Sequence, residues 1–200
     1  MAKNAIKIML DYGIAFLGML IISPILLVLS IIVRVDSPGP ILHRRRVMGR
    51  NRSQFDAFKF RTMHVNGDAI LAAHPDLQRA LAQDQKLKDD PRVTNCGRWM
   101  RKLSLDELPQ LMNVLRGEMS LVGPRMISPP ELVRYGEYAD ELLTVKPGIT
   151  GLWQVSGRSD LPRGDRVRLD LLYVRTHSVN MDIALLIRTV PALLRARGAY

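Results

Sequence analysis

An uncharged apolar segment from Tyr12 to Val33 constrains this chain more than any other feature of its sequence. As an α-helix the segment would be about 33 Å long, which matches the hydrocarbon core of a bilayer. Ser23 and Pro24 lie in its middle. Proline donates no backbone hydrogen bond, and its ring clashes with the carbonyl four residues earlier, so the sequence predicts a break there.

The charges beside this segment favour one topology. Two lysines precede it, and eight basic residues against two acidic ones lie from Arg34 to Arg61. Because positive flanks stay on the cytoplasmic side, we favour a re-entrant helix–break–helix anchor over residues 1–36 that enters and leaves by one face. Residues 37–200 would then form a cytoplasmic domain. A straight transmembrane helix is the alternative, and the apolar run is too long for a cleaved signal peptide.

Composition narrows the range of partners. The formal net charge is +10, and a basic run beside an apolar segment favours an anionic phospholipid surface. The sequence has no zinc-ligand spacing and no aromatic RNA-binding motif, which argues against nucleic acid as a partner. Cys96 is the only cysteine, so the chain has no internal disulfide and fits a reducing compartment.

Hydrophobic periodicity predicts a mixed, helix-rich α/β fold. Alternation from Phe55 to Met63 predicts a short strand, and apolar spacing from Leu105 to Leu115 predicts a helix that stops at Gly117. The polar stretch from Asp76 to Asp89 predicts a solvated helix or a mobile loop. The amphipathic segment from Asp182 to Arg197 is either a core-packing helix or an interfacial helix lying in the membrane plane.

Adjacent carboxylates, Asp106 and Glu107, begin the predicted helix at Leu105. Two structural explanations are open: a capping box between Ser104 and Glu107, or Asp106 as the cap with Pro109 in the first turn. The functional explanation is phosphoryl chemistry with a divalent cation, because carboxylates near a phosphate need a metal to offset repulsion. Basic residues in separate segments are candidates to bind that phosphate: Lys59, Arg61, Arg101, Arg125 and Arg158.

Four motifs then resemble a known family. They are Phe58–Met63 (FKFRTM), Ser104–Leu111 (SLDELPQL), Ser120–Arg125 (SLVGPR) and Lys146–Arg158 (KPGITGLWQVSGR). In this order and spacing they closely resemble the bacterial sugar transferases, the polyprenyl-phosphate hexose-1-phosphate transferases or small monotopic phosphoglycosyl transferases. The resemblance covers nearly the whole chain.

The resemblance implies a reaction and a location. A hexose 1-phosphate passes from a UDP-sugar to undecaprenyl phosphate, giving undecaprenyl-diphosphate-sugar and UMP. This is the first membrane step of surface glycan assembly, on the cytoplasmic face of the bacterial inner membrane. The motif from Thr150 to Gln154 looks more like members that use UDP-glucose or UDP-galactose than members that use N-acetylated sugars.

The resemblance also implies roles for single residues. Asp106 is the nucleophile that forms a covalent phosphosugar, and Glu107 handles the metal or a proton. Mg²⁺, or alternatively Mn²⁺, is the expected cofactor, with Asp106 and Glu107 as its ligands. The substrate-binding positions fall on Lys59, Arg101, Arg125 and a late aspartate, Asp182, and the family's helix break falls on Ser23 and Pro24.

Two rival hypotheses remain at this point. In a non-catalytic membrane scaffold of a glycan assembly complex, the two carboxylates would only cap a helix. A phosphotransferase built on many transmembrane helices is disfavoured by the single apolar segment. The sequence leaves a homodimer open.

Overall fold

The computed structural model describes residues 2–84, 87, 90–157 and 160–195. A long helix, α1 (Ala2–Asp36), is followed by a hairpin of β1 (Leu42–Met48) and β2 (Gln54–Phe60). The mixed, helix-rich α/β prediction is confirmed. The remaining α-helices and strands are α2 (Gly67–Ala72), α3 (Pro75–Asp84), α4 (Asn95–Lys102), α5 (Leu111–Leu115), β3 (Ser120–Val122), α6 (Ala139–Leu142), β4 (Gly148–Thr150), α7 (Leu152–Ser156), α8 (Arg163–Thr176) and α9 (Val179–Arg195). In addition, 3₁₀ helices cover Arg50–Arg52, Leu105–Gln110 and Pro129–Tyr138.

Helix α1 continues through Pro24, so the predicted break at Ser23–Pro24 does not interrupt the helical structure. The backbone carbonyl of Leu20 is the one that Pro24 leaves without its usual N–H partner. The Ser23 hydroxyl donates a hydrogen bond to this carbonyl over 2.8 Å. This bond within the helix supplies a partner for the carbonyl where the surroundings are apolar, and it allows the helix to tolerate the proline.

Both ends of α1 pack on the same domain. Towards its start, Ala15 is fully buried in a core cluster with Val114 and Leu121. Towards its end, Leu29 and Val33 are buried in another cluster with the side chains of Phe60 and Met100. The side chains between these two contacts are largely exposed, among them Phe16, Leu17, Leu20, Ile21, Ile25, Leu27 and Val28.

The β1–β2 hairpin is antiparallel and pairs His43 with Lys59 and Arg45 with Ala57. Side chains alternate along a strand, and directly paired residues share a face. His43, Arg45 and Lys59 therefore lie on one face of the hairpin. Arg44 and Phe58 form the next pair, and they lie on the opposite face.

The helix predicted from Leu105 to Leu115 is shorter than expected. A 3₁₀ helix covers Leu105–Gln110, and regular α-helix begins only at Leu111. Pro109 explains the difference, because a proline within the first turns of an α-helix removes one of its backbone donors. The predicted stop is confirmed at Gly117, whose φ of 74° lies in the left-handed region that glycine adopts without strain.

The amphipathic C-terminal segment forms α9, which packs on the core, while an interfacial position in a membrane stays a prediction. Leu185 is buried in the core, with Leu186 packed beside it. Ile183, Ile187 and Val190 are exposed apolar side chains of the same helix. The polar stretch predicted from Asp76 to Asp89 is helical from Asp76 to Asp84, where α3 ends.

A short parallel pair, β3 and β4, places the turn that contains Arg125. Ser120 pairs with Gly148, and a further bridge links Arg125 to Gly148. A Cβ on Gly148 would lie 2.1 Å from the backbone nitrogen of Gly123. Glycine is therefore required at position 148, because the two backbones approach too closely for any side chain.

Candidate active site

The Asp106–Glu107 pair does not act as a helix cap. Ser104 has φ 56°, in the left-handed region, whereas the first residue of a capping box is extended. Asp106 lies inside the 3₁₀ helix rather than before it. Both structural explanations for the pair are therefore wrong. The Asp106 side chain is nevertheless buried, with 8% of its surface exposed.

Two cationic side chains from different segments approach Asp106. Lys59, on β2, has its Nζ 4.0 Å from the Oδ2 of Asp106. Arg101, at the end of α4, donates from Nε to the Oγ1 of Thr62 over 2.9 Å. Burial lowers the pKa of both cations, while the charge of Asp106 acts to raise them. The structure thus brings together four predicted residues: Lys59, Arg101, Asp106 and Glu107.

Burial raises the pKa of Asp106 to about 6, and the neighbouring charge of Glu107 acts in the same direction. Lys59 and Arg101 oppose this rise without cancelling it. The rise thus comes first from the removal of water around the carboxylate, and the like charge of Glu107 adds to it. A carboxylate removed from water in this way is held in a defined place and is poorly hydrated, as a nucleophile needs to be.

The composition of this site suits a magnesium ion that binds together with its substrate. Across the described ranges, no group of three His, Cys, Asp or Glu side chains is arranged to hold a metal. Mg²⁺ rarely uses such an all-protein cage, because it binds through one or two carboxylates, phosphate oxygens and water. The paired carboxylates of Asp106 and Glu107 would supply these protein ligands, and the ion would offset part of their negative charge.

A buried aspartate, Asp170, holds the turn that carries Arg125. The backbone N–H of Arg125 donates to the Oδ1 of Asp170 over 3.2 Å. The hydroxyl of Tyr135 donates to Oδ2 of the same carboxylate over 2.8 Å. The Arg125 guanidinium lies 5.9 Å from the centre of the Trp153 ring. Asp170 was missed by sequence analysis because it lies 45 residues from the turn that it holds.

Arg61, which the sequence predicts to bind phosphate, binds the end of α1 in the structure, and its phosphate contact stays a prediction. Its side chain is buried and donates to the Ser37 hydroxyl over 2.6 Å and to the carbonyls of Pro40 and Ser37 over 2.6 and 2.7 Å. A longer bond of 3.4 Å reaches the carbonyl of Val33. These acceptors lie at the C-terminal end of α1, where a cation is favoured by the helix dipole. Arg61 therefore ties the end of α1 to β2.

Asp182 likewise joins α1 to the domain. Its Oδ2 lies 2.7 Å from the Nζ of Lys7, and its Oδ1 accepts a hydrogen bond of 2.6 Å from the hydroxyl of Tyr173. Asp11, one turn after Lys7, accepts from the Ser120 hydroxyl over 2.7 Å. Asp182 thus forms an ion pair that holds the start of α1, and its predicted substrate contact stays a prediction. Arg158, the remaining predicted position, lies outside the described residues.

Comparison with known proteins identifies the family. The family described as "Bacterial sugar transferase" matches residues 2–196. The chain belongs to this family, so the family and the enzyme class predicted from the sequence are confirmed.

Several relatives carry informative names. "Exopolysaccharide production protein ExoY" of Sinorhizobium fredii is 43% identical over 194 residues, which cover 95% of this chain and 86% of that protein. "Undecaprenyl-phosphate galactose phosphotransferase" of Salmonella typhimurium is 44% identical over 203 residues, covering 100% of this chain and 42% of the relative. "UDP-glucose:undecaprenyl-phosphate glucose-1-phosphate transferase" of Caulobacter vibrioides is 39% identical over 207 residues, covering 97% of this chain and 72% of that protein.

The relatives differ in length. The chain spans 43% of an "Uncharacterized sugar transferase" of Haemophilus influenzae, with 45% identity. It thus spans less than half of some curated relatives and most of others.

Proposed function

We propose that this chain transfers a hexose 1-phosphate from a UDP-sugar to undecaprenyl phosphate at the inner membrane of a bacterium. The observation that carries the proposal is the buried Asp106, placed beside Glu107 with Lys59 4.0 Å away, in a chain of the bacterial sugar transferase family. The names of the relatives support the acceptor and favour glucose or galactose as the sugar.

In the first step, a carboxylate oxygen of Asp106 attacks the phosphorus that bears the sugar. A bond forms between this oxygen and phosphorus, the bond from phosphorus to the bridging oxygen breaks, and UMP leaves with that electron pair. Lys59 and Arg101 supply positive charge beside the reacting group, which stabilises the charge that develops on the phosphate oxygens.

In the second step, an oxygen of undecaprenyl phosphate attacks the same phosphorus. The bond from phosphorus to Asp106 breaks, which restores the carboxylate and releases undecaprenyl-diphosphate-sugar. Because one product leaves before the second substrate reacts, the kinetics are expected to be ping-pong.

Asp106 and Glu107 are the residues that would hold Mg²⁺. When bound, this ion neutralises part of the charge on the diphosphate and on the leaving phosphate. Mn²⁺ accepts the same oxygen ligands and is expected to substitute for it.

The contacts of α1 support a re-entrant anchor rather than a straight span. Lys7 is bound to Asp182 near the start of the helix, and Arg61 binds carbonyls at its end. With both ends held by one domain, α1 would enter and leave the bilayer by the same face, with a bend at Pro24. The exposed apolar side chains between those contacts, such as Leu17 and Ile21, would enter the lipid.

This topology predicts that the start of the chain is shielded from outside the cell. In a Cys96→Ser background, Asn4→Cys should resist a membrane-impermeant maleimide on intact cells and react after permeabilisation. Ser53→Cys, on the exposed tip of the hairpin, is the matched control for the cytoplasmic face. Labelling of Asn4→Cys on intact cells would establish a straight transmembrane span and overturn the re-entrant proposal.

The reaction is tested with a panel of UDP-sugars, each incubated with undecaprenyl phosphate and Mg²⁺ while UMP release is measured. UDP-glucose or UDP-galactose is expected to give the fastest release, and a chelator is expected to stop it. If only an N-acetylated donor releases UMP, the proposed sugar, glucose or galactose, is wrong. Folded, membrane-bound protein that releases no UMP from any donor would refute the proposed reaction.

A further inference from the structure

Three successive arginines of β1 face different parts of the molecule. Arg44 and Arg46 lie on the face of the hairpin opposite to Lys59. The Arg44 guanidinium lies 5.8 Å from the centre of the Phe58 ring, and the Nε of Arg46 lies 3.1 Å from the Oδ1 of Asp56. Arg45, between them, faces the same side as Lys59.

A fixed carboxylate holds Arg45. The Nη2 of Arg45 donates to the Oε2 of Glu131. Oε2 also accepts from the backbone N–H and the hydroxyl of Ser128, over 2.8 and 2.7 Å. Arg134 donates to the other oxygen, Oε1, over 3.0 Å. Because these bonds fix Glu131, they also fix the direction of the Arg45 guanidinium.

Arg45 lies on the same face of the hairpin as Lys59, and its charge interacts with both halves of the candidate active site. Burial lowers its pKa, the charge of Glu107 acts against this, and the charge of Arg125 adds to it. Arg45 in turn lowers the pKa of Lys59. It is therefore within electrostatic reach of the carboxylate pair on one side and of the Arg125 turn on the other. The sequence places it in a generic basic run, so its role comes only from the structure.

We propose that Arg45, oriented by Glu131, binds the diphosphate of the UDP-sugar between Lys59 and Arg125. Arginine carries five N–H donors in a planar fork, so a guanidinium bound to Glu131 through Nη2 has further donors for phosphate oxygens. The inference rests on the proposed function and deepens it, because it names a residue that selects a nucleoside diphosphate. Glu131 is a positioning residue, since it acts through Arg45.

The test uses the full chain in detergent micelles with Mg²⁺. Titration calorimetry with UDP gives the affinity, and steady-state assays with the best UDP-sugar give KM and kcat. Arg45→Gln should weaken UDP binding and raise KM by about tenfold or more, because a charge-assisted contact is lost. The kcat should change far less. Glu131→Gln should give a smaller rise in KM, of roughly threefold, and its kcat should again change far less than its KM.

Arg44→Gln is the matched control, because it removes the same charge from the same strand on the opposite face. Its UDP affinity should stay within about twofold of the wild type. Equal affinities for UDP in Arg45→Gln and Arg44→Gln would overturn the inference, as would a loss in kcat without a change in KM. If Arg45→Gln does not fold, Arg45→Lys is tested instead. It keeps the positive charge but lacks the planar set of guanidinium donors. Weakened UDP binding in that variant supports the inference, and wild-type binding overturns it.

Failure of the inference can be told apart from failure of the proposed function. If the wild type releases UMP and Arg45→Gln binds UDP as the wild type does, only the inference fails. If the wild type releases no UMP from any donor, yet binds UDP in a way that depends on Arg45, only the proposed reaction fails.

Discussion

Asp106→Asn is expected to lower UMP release at least about a thousandfold, because the amide cannot attack phosphorus. The wild type, incubated with a UDP-sugar and no lipid acceptor, should gain the mass of one hexose phosphate. The variant should show no such adduct. Intact-protein mass spectrometry and UMP release, measured on the same samples, check both expectations.

The same variant separates a chemical role of Asp106 from a purely structural one. A carboxylate whose only role is structural would cost stability when removed. Burial raises the pKa of Asp106 to about 6, which means that the folded protein disfavours its charged form. A neutral residue of the same shape should therefore leave the melting temperature unchanged or higher. An unfolded variant would indicate a structural role for Asp106, and a folded variant with full activity would refute Asp106 as the nucleophile.

Glu107→Gln is the companion variant. It keeps the nucleophile and removes half of the carboxylate pair, so it should need more Mg²⁺ for the same rate while still forming the adduct. An Mg²⁺ requirement equal to that of the wild type would argue against Glu107 as a metal ligand.

Asp170→Asn is expected to gain stability relative to the wild type as the pH rises. Asp170 is almost completely buried, and burial raises its pKa to about 7. Between pH 5 and pH 8 the melting temperature of the variant should rise by about 5 °C relative to that of the wild type. Thermal melts of both proteins in the same detergent, at each pH, make the measurement.

The direction follows from the two pKa values of Asp170. Below its ordinary value of 3.8, the carboxyl is protonated in the folded and the unfolded chain alike. From there to about 7, the unfolded chain ionises while the folded chain keeps its proton, so stability falls as the pH rises. Above about 7 both states are ionised, and the loss stays constant. Asparagine does not titrate and escapes this loss.

A second aspartate of α8 provides the control. Asp165 is exposed in the first turn of that helix, so Asp165→Asn makes the same substitution without changing a buried carboxyl. If the difference between Asp170→Asn and the wild type does not change with pH, Asp170 is already ionised in the folded protein at pH 5.

Local pattern predicts much of this fold. The apolar segment predicts α1, and alternation from Phe55 predicts β2, because each signal is contained in one continuous stretch of the sequence. Motif resemblance also predicts that Lys59, Arg101 and Asp106 converge, and the structure brings them together. For Leu105 to Leu115, the apolar spacing suggests one α-helix, whereas Pro109 favours a 3₁₀ start.

Contacts between distant segments account for what the sequence does not predict. A buried arginine can serve a substrate or a helix end, and only the fold shows that Arg61 meets the carbonyls of α1. Asp182 meets Lys7 across 175 residues. Arg45 meets Glu131 across 86 residues. Nothing in the local sequence of either partner indicates such a pair, so residue type alone does not predict these structural contacts.

The packing of α1 has a practical consequence for anyone who handles this protein. A fragment that starts after Asp36 would lack Ala15, Leu29 and Val33, and their removal would open cavities in two parts of the core. It would also remove the carbonyl of Val33 and the rest of the helix end that the Arg61 guanidinium binds. Trimming the apolar helix to obtain a water-soluble enzyme should therefore yield an unfolded one. The apolar helix and the residues that pack on it are therefore expected to fold, and to be purified, as one unit.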